Sequence, residues 1–297
     1  MTNKNDIVKQ VNRSGFPFQL RVEEEIRATQ QEHRWSVVSR EHAWANPNGS
    51  SSGFIDLVLK HDQFVTFRLV IECKRNKADD VRQLRWVFLI PEGEGEETQL
   101  ASCFEVEGRA HTRGEQETEG RRAWEELRGW DNVFLMPASL QSEFCVLQGD
   151  EPRHRPILEH LAAQVLESIV GLADEEAQIE KSLNPTRLRL FIFPAIVTNA
   201  EIAVCRFDPT KVSLKDGTLD VGDVELSTVP FIRFRKSMVT NFPEGGFYDL
   251  KAANQARERT IFIVNSENLT EFLKGWNLRP QNLDGYLIQR LLRQIAD

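Results

Sequence analysis

The sequence lacks the features that mark several common protein classes. Its four cysteines contain no CxxC pair, which argues against a zinc ribbon or a redox motif. The histidines show no ligand spacing, because His154 and His160 are six residues apart and do not share a helix face. No apolar run approaches the roughly 20 residues that span a bilayer, and Met1–Gln10 has no apolar signal-peptide core. We therefore expect a cytoplasmic protein with no membrane association and no disulfide.

An excess of positive charge is also missing. The net charge is −8 at pH 7, whereas general nucleic-acid-binding proteins are usually basic. The acidic excess lies partly at 91–98 and 115–126. Basic residues nevertheless concentrate in one stretch, which contains Arg68, Lys74, Arg75, Lys77, Arg82 and Arg85. Such a strip can bind a phosphate backbone on an acidic protein, or it can be an ordinary solvated surface, and composition does not choose between the two.

Hydrophobic periodicity and turn residues predict the elements of the first two thirds of the chain. A helix is expected from about Pro17 to about Gln31, and a long amphipathic helix at Pro156–Leu183. Leu188–Thr198 is almost continuously apolar, which is typical of a strand buried on both faces. An antiparallel meander is predicted from three strands, at Trp35–Trp44, Phe54–Lys60 and Phe64–Lys74.

The remaining pattern completes an α/β protein with a mixed sheet. Further strands are predicted at Glu201–Phe207, Val229–Phe234 and Thr260–Val264, and helices at about Glu267–Trp276 and Leu283–Ile295. Residues 76–150 are irregular, with candidate strands at Trp86–Ile90, Ala101–Val106 and Val133–Leu147 and a polar stretch at 108–122. We therefore predict a core at 1–208 with an insertion at about 76–150, and a C-terminal α/β extension at 209–297 packed on the core.

Three residues carry the chemistry that the sequence suggests. Asp56 lies in an otherwise apolar strand, and Glu72 and Lys74 end another. Residues two apart on a strand point to the same face, so Glu72 and Lys74 should share a face while Cys73 packs on the other. A carboxylate in an apolar strand is unfavourable to bury without a partner. These residues are therefore candidates for a functional site.

Phosphodiester hydrolysis uses groups of these kinds. Two carboxylates bind a hard cation such as Mg²⁺ through oxygen, so Asp56 and Glu72 are expected ligands, together with the Cys73 carbonyl. Mn²⁺ should substitute for Mg²⁺. A nearby ammonium orients the attacking water or stabilises charge in the transition state, and Lys74 fits that role.

An in-strand Asp followed by an apolar strand that ends in Glu-x-Lys resembles the PD-(D/E)XK, restriction-endonuclease-like superfamily. The resemblance covers about Ser14 to Phe207, apart from the insertion, and falls on Asp56, Glu72 and Lys74. It implies a core of a helix, a three-strand meander, a helix and a further strand, which is the predicted order. It also implies a metal-dependent endonuclease acting on DNA more readily than RNA, with a role in bacterial restriction or anti-phage defence. A homodimer or a defence-system partner protein is a further implication.

The first helix departs from the family pattern. Members with a Gly-aromatic-Pro opening tend to have Glu two residues after the proline, where this chain has Gln19. A neutral amide can bind metal-bound water but adds no charge, so we expect one metal rather than two. Glu23 is a candidate substitute, although Glu23, Glu24 and Glu25 are more simply solvating residues. The family's glutamine after the lysine strand corresponds to Gln83 or Gln164, and the sequence does not choose.

A second carboxylate-x-Lys triplet serves as an internal control. Asp249-Leu250-Lys251 precedes a helical pattern, so Asp249 is predicted to be a helix N-cap rather than a ligand. Two other hypotheses stay open: a catalytically idle family member that serves as a nucleic-acid-binding or assembly module, and an unrelated α/β interaction protein. Phe231–Lys236, which alternates aromatic and basic residues, is either a nucleic-acid contact or a strand with one solvated face.

Overall fold

The structure is a computed structural model of the chain, which describes residues 3–46, 49, 51–61, 64–76, 85–107, 122–128, 134–147, 157–183, 189–237 and 249–278. The α-helices in these ranges are α1 (Lys4–Ser14), α2 (Phe16–Ala28), α3 (Gln30–His33), α4 (Ile157–Leu183), α5 (Leu250–Gln255) and α6 (Leu269–Lys274). The strands are β1 (Trp35–Ala45), β2 (Ser52–His61), β3 (Phe64–Lys74), β4 (Arg85–Pro91), β5 (Leu100–Glu107), β6 (Arg122–Arg128), β7 (Phe134–Leu135), β8 (Gln141–Ser142), β9 (Phe144–Leu147), β10 (Arg189–Thr198), β11 (Glu201–Phe207), β12 (Val224–Thr228), β13 (Phe231–Ser237), β14 (Glu258–Asn265) and β15 (Asn277–Leu278).

The central sheet has nine strands and mixed directions. Its main order is β1-β2-β3-β10-β14-β13-β8, while β5 pairs with the first half of β10 and β6 pairs with β5. The strands β1, β2 and β3 form the predicted antiparallel meander. The strand β10 runs parallel to β3, as predicted for a strand that follows a crossover helix.

Two hydrophobic layers enclose the central sheet, and β10 contributes to both. Leu190, Ile192 and Ile196 face one layer, while Phe191 and Phe193 face the other. This alternation explains why the strand is an almost uninterrupted apolar run. The first layer includes the apolar face of α4, and the second includes the buried faces of α2 and α6. The predicted mixed α/β architecture, with a central sheet between helices, is confirmed.

The central sheet extends beyond the predicted core segment. The strands β5 and β8 come from the predicted insertion, and β13 and β14 come from the predicted C-terminal extension, yet all four pair within it. A second sheet, β12-β11-β4-β9, joins two strands of the insertion, β4 and β9, to strands on both sides of residue 208. The boundary at 208 stays a prediction about domains, and both sheets cross it.

The first helix, α1, was not predicted. Asn3 caps it by accepting the backbone N–H of Asn5, and Gly15 ends it with a φ of 87°. None of its residues is buried, and Ile7, Val8 and Val11, which lie on one side of the helix, are exposed, so this apolar side does not face the core. The predicted helix Leu283–Ile295 and residues 108–121 of the polar stretch lie outside the described residues. No helix in the described part of the chain is long and apolar enough to cross a membrane.

Candidate active site

The antiparallel register brings Asp56 and Glu72 together on neighbouring strands. Leu57 of β2 pairs with Ile71 of β3, so the next step of the same register places Asp56 opposite Glu72. Directly opposed residues of an antiparallel pair have Cβ atoms roughly 5 Å apart and point to the same side. The two carboxylates that the sequence singled out are therefore cross-strand neighbours.

The side chain of Cys73 separates from those of Glu72 and Lys74. Cys73 packs against the hydrophobic layer beneath α2, together with Ile71. Val70 belongs to the opposite layer, beneath α4. Side chains alternate along a strand, so Glu72 and Lys74 project away from the Cys73 face. The predicted packing of Cys73 on an apolar layer is confirmed, and the direction of Glu72 and Lys74 follows from strand alternation.

The carboxylate of Asp56 is fixed by the backbone of the neighbouring strand. The N–H of Cys73 donates to Asp56 Oδ2 at 2.6 Å. Burial raises the pKa of Asp56 to about 6; the Cys73 hydrogen bond and Lys74 oppose the rise, and Glu41 adds to it. The backbone bond thus orients the group without removing the energetic cost of its charge.

Glu72 is the more strongly perturbed of the two. Burial, followed by the negative charge of Asp56, raises the pKa of Glu72 to about 8, against the opposing effect of Lys74. Its carboxylate accepts no hydrogen bond from the described residues. Burial also raises the pKa of the Cys73 thiol, so the sulfur stays protonated and only the Cys73 carbonyl is a plausible ligand atom.

Gln19 reaches this site from α2. It is buried, with 4% of its surface exposed, and its Nε2 donates to Glu41 Oε1 at 2.6 Å and to the Asp56 carbonyl oxygen at 3.1 Å. The sequence placed Gln19 in the site but did not suggest its partner on β1. A buried amide between two acceptors fixes the local geometry of β1 and β2.

Glu41 is the site residue that the sequence did not reveal. Arg40 pairs with Leu57 and His42 pairs with Ile55, so Glu41 stands across from Asp56 on the other edge of β2. Its backbone has a φ of 50°, a left-handed conformation that is unfavourable for a residue with a Cβ. Glu41 has polar neighbours on both sides, so it does not stand out in the sequence as Asp56 does in its apolar strand.

Glu23 does not substitute for a metal ligand. It is buried and its carboxylate accepts hydrogen bonds from Arg27 at 2.7 Å and from Arg40 at 3.0 Å. Burial alone would raise the pKa of Glu23, but the two arginines outweigh it and lower the pKa. The interpretation of Glu23 as a solvating residue is also wrong, because Glu23 is buried and its ion pair with Arg40 anchors α2 to β1.

The predicted basic strip is partly engaged in the fold. Arg68 forms a buried ion pair with Glu176 at 2.7 Å, and Arg85 pairs with Glu201 at 2.6 Å. Lys74 and Arg75 form no ion pair within the described residues. Lys77 and Arg82 lie outside those residues. Among the members of the strip that the structure describes, Lys74 is the one whose charge acts on the carboxylate pair.

The segment Phe231–Lys236 is occupied by internal contacts. Arg233 is buried and donates to the Leu100 carbonyl at 2.8 Å and to Thr98 at 2.6 Å. Arg235 and Lys236 pair with Glu258 and Glu159, in each case at 2.6 Å. These basic side chains stabilise the packing around β13, so a nucleic-acid contact would have to compete with existing ion pairs.

Asp249 and Gln164, which the sequence also singled out, lie within the described residues. Asp249 caps α5 by accepting the N–H of Ala252 at 2.8 Å, as predicted. Gln164 is exposed on α4, and Gln83 lies outside the described residues. Within the described ranges, no three His, Cys, Asp or Glu side chains are already grouped so that they could hold a metal ion. All four cysteines are free thiols.

Comparison with protein-family models, curated proteins and solved structures finds no match to this chain. The site itself is therefore the basis for a function. Two partly buried carboxylates with raised pKa values face a single lysine, and at least two of their oxygens lack a donor among the described residues. Such a group of oxygens can accept a hard divalent cation.

Proposed function

We propose that this chain is a metal-dependent endonuclease that hydrolyses phosphodiester bonds in DNA. The observation that carries the proposal is the cross-strand pair Asp56–Glu72, two carboxylates with raised pKa values and one nearby lysine. Burial without neutralising partners is unfavourable for both charges. A divalent cation bound by Asp56 and Glu72 would relieve the repulsion between their negative charges and turn an unfavourable pair into a functional one.

The order of the elements supports a restriction-endonuclease-like core. The chain runs from α2 through the meander β1-β2-β3 to α4 and then to β10, which lies parallel to β3. This is the order that the PD-(D/E)XK resemblance implies. The lysine ends β3, and Thr198 lies beside it at the end of β10, so the proposed site opens at the end of the two strands.

The residues present fit a hard cation. Asp56, Glu72 and the Cys73 carbonyl would supply oxygen ligands, as Mg²⁺ or Mn²⁺ prefers. The bound cation would polarise the phosphate and lower the pKa of a water molecule. Lys74 would orient the attacking water and stabilise the negative charge that grows on the phosphate. The Cys73 N–H holds Asp56 in place throughout.

A catalytically idle nucleic-acid-binding or assembly module is the second candidate. The observation that favours it is that no three metal-ligating side chains among the described residues are already arranged around one point. The resemblance also implies a homodimer or a partner protein from a defence system, and these stay proposals.

Single substitutions test the mechanism. Lys74→Ala should reduce the cleavage rate by about a hundredfold or more, because its charge acts on the transition state, while Mn²⁺ binding stays nearly intact.

Asp56→Ala should lose both Mn²⁺ binding and cleavage. It should also raise the melting temperature of the metal-free protein, because it removes the repulsion with Glu72.

The measurement is a nuclease assay beside calorimetry with MnCl₂. Substrates are linear, circular and single-stranded DNA and RNA, each with Mg²⁺, Mn²⁺ or EDTA. Lys251→Ala is the matched control, because Lys251 belongs to the second carboxylate-x-Lys triplet and is exposed. If Lys74→Ala cleaves as fast as the unmodified protein, the mechanism is wrong. A protein that binds DNA with no metal-dependent cleavage would favour the idle module.

A further inference from the structure

The second sheet, β12-β11-β4-β9, carries apolar side chains on both of its faces. Its inner face belongs to the first hydrophobic layer through Trp86, Phe88 and Val204. The opposite face, named the outer face here, consists of two rows of residues that the strand register aligns side by side. These rows are Leu226, Cys205, Leu89 and Phe144, and Thr228, Ala203, Val87 and Val146. Apolar residues on both sides of a strand are typical of a sheet that is covered on both sides.

The outer face lies apart from both hydrophobic layers, neither of which includes any of its residues. At its margins Leu226, Phe144 and Val146 are 63%, 59% and 55% exposed. Single exposed apolar residues are common on protein surfaces, but these belong to one continuous face. One end of the face is closed by the ion pair Arg85–Glu201, which lies one step further along β4 and β11 on the same side. An apolar centre with a polar rim is the usual build of a protein interface.

The sizes of the central side chains make the outer face complementary to itself. The strand β11 contributes the small residues Ala203 and Cys205, and β4 beside it contributes the larger Val87 and Leu89. A two-fold axis parallel to the strands reverses the strand order, so β11 of one copy lies over β4 of the other. Small side chains then meet larger ones, as packed sheets require when their side chains interdigitate.

The charges also favour a second copy of this chain as the occupant. Each copy carries a net charge of −8, so two copies repel each other over most of their surfaces. None of the eight residues of the outer face is acidic or basic, and the ion pair at its end is neutral as a unit. Two copies can therefore meet at the outer face without bringing like charges together.

The size of the outer face sets the strength that a dimer can reach. Four strands at about 4.8 Å span roughly 19 Å, and two rows of residues extend roughly 14 Å along the strands. Two such faces, with the side chains that border them, cover less than the roughly 1,200 Å² that standard stable interfaces bury. This area predicts a dimer of micromolar rather than nanomolar affinity.

We propose that two copies of this chain dimerise through their outer faces, sheet on sheet, about a two-fold axis parallel to the strands. In this arrangement Leu226 at one margin lies over Phe144 of the second copy, so both exposed margins are covered at once. The removal of these apolar side chains from water drives the association. The inference does not depend on the proposed nuclease function, because the outer face contains none of the residues of the candidate active site.

Sedimentation velocity on the full chain, from about 1 to about 200 μM, measures the association. The sedimentation coefficient should rise with concentration, and added NaCl should strengthen the dimer because it screens the repulsion between the acidic copies. Leu226→Asp and Phe144→Asp should each weaken association about tenfold or more. Both positions are already exposed, so the fold should persist, which circular dichroism checks. The control is Leu250→Asp on α5, where the leucine is 88% exposed, and it should associate like the unmodified protein.

Cross-linking of mixed variants tests the arrangement. Leu226→Cys and Phe144→Cys are made separately in a Cys205→Ser background and mixed. A short bismaleimide should link the two variants, because packed sheets lie roughly 10 Å apart, beyond the reach of a disulfide. Either variant paired with Leu250→Cys should give no such product. A dimer without the 226–144 cross-link would use another surface, and would overturn the proposal.

A chain that stays monomeric at every concentration would also overturn the proposal. The reactivity of the Cys205 thiol towards a thiol reagent would then identify the alternative. An unreactive thiol would mean that another segment of the same chain covers the outer face, and a reactive one would mean that the face is left for a different protein.

Discussion

At the scale of single residues, Asp56 and Glu72 make the stability of the protein depend on pH. Burial raises the pKa of Asp56 from 3.8 to about 6 and that of Glu72 from 4.5 to about 8. As the pH rises, the unfolded chain releases these protons first while the folded chain retains them. Stability therefore falls between about pH 4 and pH 8 and levels off above that range.

This dependence gives a measurable prediction. Without divalent cations, the free energy of unfolding should fall by on the order of 5 kcal/mol between pH 5 and pH 8, since each pKa unit corresponds to about 1.4 kcal/mol. Urea unfolding at several pH values checks it. The Asp56→Asn, Glu72→Gln double variant should lose most of the slope. If the double variant keeps the same slope of stability against pH, other ionisable groups cause the slope.

The same scale shows what the sequence could and could not predict about the site. Asp56, Glu72 and Lys74 stood out because a charge in an apolar strand is a local anomaly. Glu41 did not stand out, because its position opposite Asp56 depends on the register of β1 with β2. A bulge between Val37 and Ser39 shifts the pairing of β1 with β2, and a shift of one residue changes which side chain stands opposite Asp56. No local pattern records that shift.

At the scale of elements, α4 packs unusually close to β1. A Cβ added at Gly171 would lie 2.9 Å from Trp44 Cε3 and 3.1 Å from the Ala45 carbonyl oxygen. The glycine is therefore required by the close approach of a helix and a strand. The approach is relevant to the site because β1 also carries Glu41.

Two effects oppose each other in Gly171→Ala. Alanine in a helix interior is favoured over glycine by about 1 kcal/mol, whereas overpacking costs about 1–3 kcal/mol. Because one neighbour is backbone, we expect the overpacking to win and the variant to be less stable. Gly222→Ala is the control, since its added Cβ meets nothing within 4 Å. Thermal unfolding of the two variants measures which effect is larger. A Gly171→Ala variant that is more stable than the unmodified protein would mean that β1 shifts to make room for the added methyl group.

Predictions at this scale succeeded where an element carries its own periodic signal. The meander, α4 and β10 were predicted because each has a continuous apolar pattern. The strands β5 and β8 overlap the candidate strand regions Ala101–Val106 and Val133–Leu147, but their pairing partners lie far along the chain. Long-range pairing leaves no local trace, so the nine-stranded sheet could not be predicted from periodicity.

At the scale of the whole molecule, the residues after 208 belong to the central core. Ile261, Phe262, Ile263 and Val264 are at most 2% exposed, and β14 pairs with β10 in the middle of the sheet. A fragment of residues 1–208 would expose this edge of β10 and the apolar face beneath α6. We therefore expect the fragment to lack a cooperative thermal transition.

Differential scanning calorimetry and near-ultraviolet circular dichroism on the fragment and the full chain test this expectation. The full chain should unfold in a cooperative transition with a fixed aromatic signal. A fragment with its own cooperative transition would show that the first 208 residues form an independent domain, as the sequence alone suggested.

The distance along the chain between β3 and β10 has a consequence during synthesis. More than a hundred residues separate Lys74 from Arg189, and at about 5–20 residues per second the ribosome needs roughly ten seconds to make them. During that interval the nascent meander presents the edge of β3, with Phe67, Leu69 and Ile71, to its surroundings. An unpaired apolar edge is a template for aggregation, so we expect the nascent chain to need protection from aggregation, as chaperones provide, while the intervening segment is translated.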